Sequence, residues 1–243
     1  MKTQQFKSPR YIGDPINAVR IFNEKEADEL MVLDIDATVL GREPNFMLID
    51  RLAAECRMPL CYGGGISRVD QAVRIINMGV EKIAISSAAL GNPLLISELA
   101  SAIGRQSVVV VVDVVKPSQA FGHGYTVCTH NANRVSNKCL FEFVKESVRL
   151  GAGEVVVNSV DNDGKMTGYD LKLAIQVRAE VGVPLTFLGG AGSLEDMANL
   201  IRNVGVVGCA AGSLFVFKGK LRGVLINYPT PLRKLELCQN VVK

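Results

Sequence analysis

Histidine is scarce in this sequence. His123 and His130 are the only two, and both sit in a polar stretch, the ordinary setting of solvated imidazoles. A histidine-based metal site is therefore not expected. Charge of one sign is also lacking. Twenty-seven Lys and Arg against 24 Asp and Glu leave a net charge of +3. No basic stripe is interleaved with aromatics, so nucleic-acid binding has little support. Long apolar runs are missing too. The longest, the valines at 108–112, is far too short to span a bilayer. The start, Met1-Lys2-Thr3-Gln4-Gln5-Phe6, carries no apolar stretch of a secretory signal. No CxxC pair occurs among Cys56, Cys61, Cys128, Cys139, Cys209 and Cys238. Several of them fall in strand or helix patterns, which reads as reduced thiols and a cytoplasmic setting.

What is present is a repeat. Cys61-Tyr62-Gly63-Gly64-Gly65-Ile66-Ser67 runs on to Ile83-Ala84-Ile85-Ser86-Ser87-Ala88. Phe187-Leu188-Gly189-Gly190-Ala191-Gly192-Ser193 runs on to Cys209-Ala210-Ala211-Gly212-Ser213-Leu214. Gly63 and Gly189, Asp70 and Asp196, Gly79 and Gly205, and Ser87 and Ser213 are each 126 residues apart. Each copy reads as strand, glycine turn, helix, glycine, strand and small-residue turn, so two similar halves build the chain. A glycine turn between a strand and a helix leaves backbone N–H groups pointing outward, a cradle for phosphate. Two cradles suggest a ligand with a phosphate at each end.

The 243 residues, 48% of them hydrophobic, suffice for one α/β barrel or two small domains. Short β runs alternate with amphipathic helices, the pattern of parallel βαβ units. Strands read as 30–34, 59–62, 82–86, 107–112, 154–159, 184–188 and 206–211. Helices read as 15–25, 45–55, 68–78, 92–103, 138–150, 168–181 and 194–203. The stretch 116–138 reads as an elaborated loop or small hairpin. No linker divides the chain, so residues 1–243 are expected to form one domain. Seven strands are one short of a closed (β/α)8 barrel.

In a parallel barrel the active site lies at the C-terminal ends of the strands. Polar residues expected there are Asp34 and Asp36, Ser86 and Ser87, Asp113, Asn158, Ser159, Asp161 and Asp163, and Ser213. Asp113 follows five valines, and apolar surroundings raise a carboxyl pKa, which suits a general acid or base. The alternative is a carboxylate that caps the following turn. Asp34 and Asp36 could equally cap, or pair with a lysine.

Taken together, these motifs resemble the HisF family, the cyclase subunit of imidazole glycerol phosphate synthase. Gly13-Asp14-Pro15, Asp28-Glu29-Leu30 with Leu33-Asp34-Ile35, and Gly63-Gly64-Gly65-Ile66 carry the likeness. So do Gly151-Ala152-Gly153-Glu154, Asp161-Asn162-Asp163-Gly164, Gly168-Tyr169-Asp170 and Gly189-Gly190-Ala191-Gly192. The resemblance implies a (β/α)8 TIM barrel of half-barrel duplication, without a cofactor, acting on a doubly phosphorylated substrate. It implies a glutaminase partner on the N-terminal face that sends ammonia through the barrel. Asp113 matches a catalytic aspartate. Gly65, Ser86 and Ser87 match one phosphate site, and Gly164, Gly189, Gly190, Gly212 and Ser213 the other. Lys2 matches a loop lysine, and Asp34 and Asp163 match polar pocket residues. Glu29, Lys82 and Glu154 match members of a charged ring at the ammonia inlet.

The chain departs from the family pattern in two ways. It offers no residue for the aspartate and the arginine of the family's first strand, so the barrel's first strand is expected to be missing here. About fifteen to twenty further residues upstream would supply one. Asn158 and Leu188 also stand where small hydroxyl residues are usual, and such exchanges change selectivity strongly. The expected function is the ammonia-dependent cyclase subunit. The alternatives are an accessory subunit delivering ammonia for sugar amidation in bacterial surface-polysaccharide synthesis, or an inert ammonia-conducting scaffold.

Overall fold

The computed structural model describes residues 4–7, 9–116, 124–219 and 221–239. Lys2 and His123 lie outside the described residues. The apolar runs form β1 (Leu30–Leu33), β2 (Leu60–Gly63), β3 (Lys82–Ile85) and β4 (Val108–Val115). An antiparallel hairpin follows, β5 (Thr126–Thr129) and β6 (Arg134–Cys139), and then β7 (Glu154–Ser159), β8 (Leu185–Leu188) and β9 (Gly208–Cys209). Seven of these strands run parallel in the order β1-β2-β3-β4-β7-β8-β9. Among the described residues β1 and β9 end that order and do not pair with each other.

Helices α1 (Pro15–Glu24), α2 (Phe46–Glu55), α3 (Val69–Asn77), α4 (Ser87–Gly91) and α5 (Leu94–Ile103) belong to the first half. The second half has α6 (Leu140–Leu150), α7 (Leu171–Glu180), α8 (Leu194–Val204), α9 (Ser213–Val216) and α10 (Pro231–Gln239). Asp14 caps α1 by accepting from Ile16 N at 2.8 Å, with Pro15 in the first turn where its missing N–H costs nothing.

Alternation along each strand divides the apolar residues into two cores, as parallel strands buried on both faces require. Val108, Val110 and Val112 face the helix layer with Val155, Val157, Leu185 and Phe187, against Leu52, Ile75, Leu99 and Leu173. Val109, Val111 and Val156 face the other way, into a small inner core with Cys61 and Ala84, joined by Met31 and Leu188. This is the arrangement expected from the sequence, a (β/α)8-type barrel with seven parallel strands among the described residues.

The structure refines the repeat. Helix α8 starts 125 residues after α3 and is two residues longer, 11 against 9. Gln71 Oε1 accepts from Ser67 N and Arg68 N at 2.9 and 3.2 Å. Asp196 Oδ2 accepts from Gly192 N and Ser193 N, both at 2.9 Å. The counterpart of Asp196 is therefore Gln71, while Asp70 pairs with the Arg68 side chain. The turns are in register at 125 residues. The starts of α4 and α9, Ser87 and Ser213, keep the 126 spacing.

Two strands differ from the sequence reading, and three helices are additional to it. The strand expected at 206–211 shrinks to Gly208–Cys209, because among the described residues only β8 offers it a ladder. The strand expected to stop at residue 112 continues to Val115, because β5 pairs with its end on one side and β7 on the other. The short helices α4 and α9 and the C-terminal α10 are additional. The stretch 116–138 contains the hairpin β5–β6.

Candidate functional site

The C-terminal ends of the second-half strands converge on a small cavity. It is lined by Asp163, Gly164, Leu188, Gly189, Gly190, Ala191, Ala211, Gly212 and Ser213. Six residues singled out in the sequence, Asp163, Gly164, Gly189, Gly190, Gly212 and Ser213, thus share one space. Gly189 (φ 95°) and Gly190 (φ 111°) adopt backbone conformations that side chains rarely tolerate. A Cβ on Gly190 would also run into the Gly168 carbonyl oxygen, and one on Gly189 into that of Ser159. These glycines are needed for close packing of the turn after β8 on the end of β7 and the segment between β7 and α7, whatever the cavity holds. Arg222 Nη2 donates to the Gly164 carbonyl at 2.8 Å and fixes the cavity's outer wall.

In the first half, Gly64 makes the equivalent approach, its missing Cβ lying 2.6 Å from the Asp34 carbonyl oxygen. Gly65 packs in the same way on Arg42 and Pro44. Ser86 and Ser87 open α4 at the end of the adjacent strand, and Ser86 makes no side-chain capping bond. Asp34 takes the capping alternative. Its Oδ1 accepts from Asp36 N at 3.0 Å and Ala37 N at 3.1 Å.

Asp113 does not follow a strand; it lies within β4, paired with Asn158 on one side and Cys128 on the other. Spacing from Val109 and Val111 puts it on the inner face, above the inner core. Asn158 Nδ2 donates to Asp113 Oδ1 at 2.9 Å. Asn158 is 4% exposed, and its Oδ1 has no hydrogen-bond partner among the described residues.

The opposite end of the inner core is polar. Lys82 Nζ lies 2.9 Å from both carboxylate oxygens of Glu29 and 2.9 Å from Glu154 Oε2. Burial lowers the affinity of Lys82 for its proton, but the hydrogen bonds and charges of Glu154 and Glu29 outweigh it, so its pKa is raised. Immediately inside, burial pushes the Cys61 thiol up, reinforced by Glu29 and Glu154. The three residues expected to meet at this mouth do meet.

Two participants escape a reading of the sequence. Thr186 Oγ1 donates to Glu154 Oε1 at 2.7 Å, and Gly208 on the next strand leaves the room it occupies. The signal was a lone hydroxyl on the inward face of the apolar run 185–188. Asp170 caps α7 through Leu173 N and also accepts from Tyr125 OH at 3.0 Å, tying the hairpin to the second-half loops. Burial first, then Asp170, pushes the Tyr125 phenol up to about 12.

Comparison with known proteins adds ancestry to this geometry. Residues 1–222 match the family described as "Histidine biosynthesis protein". A Vibrio vulnificus (strain YJ016) protein named "Putative imidazole glycerol phosphate synthase subunit hisF3" is 55% identical over 96% of this chain and 89% of its own length. A Leptospira borgpetersenii protein, "Putative imidazole glycerol phosphate synthase subunit HisF", is 56% identical over 94% and 89%. The "Imidazole glycerol phosphate synthase subunit HisF" of Exiguobacterium sibiricum is 37% identical over 88% and 84%. With the duplicated glycine turns and the parallel sheet, these matches establish that the chain belongs to the HisF family of histidine biosynthesis proteins.

Proposed function

We propose that this protein is the ammonia-using cyclase subunit of an imidazole glycerol phosphate synthase, working with a glutaminase docked on the face that carries Lys82. The observation that carries this reading is the polarity of the barrel from end to end. An ion cluster sits at one mouth, an apolar inner core follows, and a carboxylate beside a polar cavity lies at the other. Neutral ammonia crosses an apolar interior far more readily than a charged ion, because desolvation penalises charge. Asp113 is positioned to move the protons that ring closure requires. Backbone N–H groups of the two glycine turns, with Ser86, Ser87 and Ser213, would hold the two phosphates. Glu29, Lys82 and Glu154 would gate the inlet. The same reading treats residues 1–243 as one barrel domain inside the cell. It is consistent with the unbridged thiols at Cys56, Cys61, Cys128, Cys139 and Cys209, and with no described helix long and apolar enough to cross a membrane.

A second reading rests on one contrast. The relatives named above as putative subunits are 55–56% identical to this chain, against 37% for the E. sibiricum HisF. On this reading Asn158 and Leu188, standing where small hydroxyl residues are usual, fit the chain for ammonia delivery to another acceptor such as a surface-polysaccharide sugar. Reconstitution with the glutaminase decides between the two. Glutamine-dependent formation of imidazole glycerol phosphate supports the first reading. Stimulated glutamine hydrolysis without that product, from glutamine or from ammonium salts, supports the second.

A further inference from the structure

We propose that Asn158 is a recognition and positioning residue with two working ends. Its amide N–H orients Asp113. Its carbonyl oxygen accepts a hydrogen bond from a hydroxyl or N–H group on a phosphate ester whose phosphate lies in the adjoining cavity. The inference rests on the reading that this cavity takes a phosphate.

The orientation of the amide follows from its partner. The nitrogen of Asn158 faces Asp113 Oδ1, which accepts its hydrogen bond across 2.9 Å. Its oxygen is then forced the other way. There it is buried and meets no donor among the described residues. Buried acceptors are normally satisfied, and one that is not calls for an explanation. The neighbourhood supplies it. A methyl group built on Gly189 would stand 3.0 Å from that oxygen, and Gly189 lines the cavity. Leu188, the register partner of Asn158 on β8, lines the cavity as well and adds no donor. The unmet acceptor is thus one residue's width from the second glycine turn, on the side towards Asp113. A ligand held there by its phosphate would carry its next carbon atoms past Asn158. Hydroxylated esters are favoured because a site built to bind a hydroxyl rejects the analogue that lacks it.

The test uses the full chain and two probes, imidazole glycerol phosphate and 3-(imidazol-4-yl)propyl phosphate, which has the same skeleton without hydroxyls. Calorimetry on the unaltered protein should show about tenfold or greater preference for the hydroxylated probe. Asn158→Leu, close in shape but without polar atoms, should reduce that preference to less than about threefold; Asn158→Ala serves if the leucine variant melts early. Asn158→Asp keeps an acceptor but loses the donor to Asp113. It should retain the preference while lowering kcat more than it changes KM, a split that a packing role would not produce. Equal binding of the two probes by the unaltered protein overturns the inference, as does an unchanged preference in Asn158→Leu, which would leave only a water at Oδ1. Failure of the unaltered protein to bind either probe overturns instead the phosphate reading beneath it.

Discussion

Lys82→Ala should open the cluster at the base of the barrel, and its cost can be worked from the contacts. One ammonium bridges two carboxylates, each 2.9 Å away. Removing one partner of a fully buried pair costs about 3–5 kcal/mol. Here Glu154 is 12% exposed but Glu29 is 37% exposed, so water relieves one side. A loss of roughly 1–3 kcal/mol remains, between the buried and surface limits. At this chain length that lowers the melting temperature by about 3–10 °C. The deficit should shrink at high pH. The folded-state pKa of Lys82 is raised, so its contribution is complete below the ordinary lysine value of 10.5 and lost as pH climbs through the folded value. Thermal melts of both proteins at pH 8 and 11 should therefore show the wider gap at pH 8. A gap of the same size at both values would refute the reasoning. With the glutaminase bound, the variant should also release more glutamate per product formed, and an unchanged ratio would reject the gate.

Asp113→Asn should lower ammonia-dependent turnover by about 10²–10⁴-fold with little change in melting temperature; turnover within a few-fold of the original would make Asp113 structural. Gly190→Ala should cost several kcal/mol by placing a Cβ against the Gly168 carbonyl at a positive φ. It is therefore a folding variant rather than a ligand probe, and a normal melt would contradict that packing. Ser213→Ala leaves the backbone alone and should weaken binding of a phosphate ester about three- to tenfold in calorimetry, or else the hydroxyl does not face the ligand. Thr186→Val should cost about 1–2 kcal/mol by taking one donor from a carboxylate, measured in urea, and Thr186→Ser should restore most of it.

Much of this was legible because the period of the pattern matched the physics. Val108, Val110 and Val112 against Val109 and Val111 mark a strand buried on both faces, and the helices alternate with such strands throughout. What was not legible depends on partners distant in sequence. The reach of β4 to Val115 depends on a hairpin that pairs from residue 126 onward. The stunting of β9 depends on having a single neighbour. The alignment of Asp70 with Asp196 failed because α8 is longer than α3, and local spacing does not reveal where an extra residue is absorbed. At the site, the two glycine turns were found from their repeat, while the Glu29–Lys82–Glu154 cluster was expected from the family resemblance. The roles of Thr186 and the unmet oxygen of Asn158 required coordinates, since a hydrogen bond across β7 and β8 leaves no mark on either segment alone.

The hydrogen-bonding of β4 has a mechanical consequence. It is the strand with three neighbours, β3 along its lower half, β7 along most of its length and β5 at its upper end. Asp113 stands where two of those ladders overlap. Amides beneath it should be among the slowest in the chain to exchange with deuterium, opening only when the whole barrel opens. Those of β1 and β9, each with one ladder partner among the described residues, should exchange first. On the proposed function the carboxylate works as an anvil: it keeps its place, and the substrate and the loops around the cavity make the adjustments that a reaction demands.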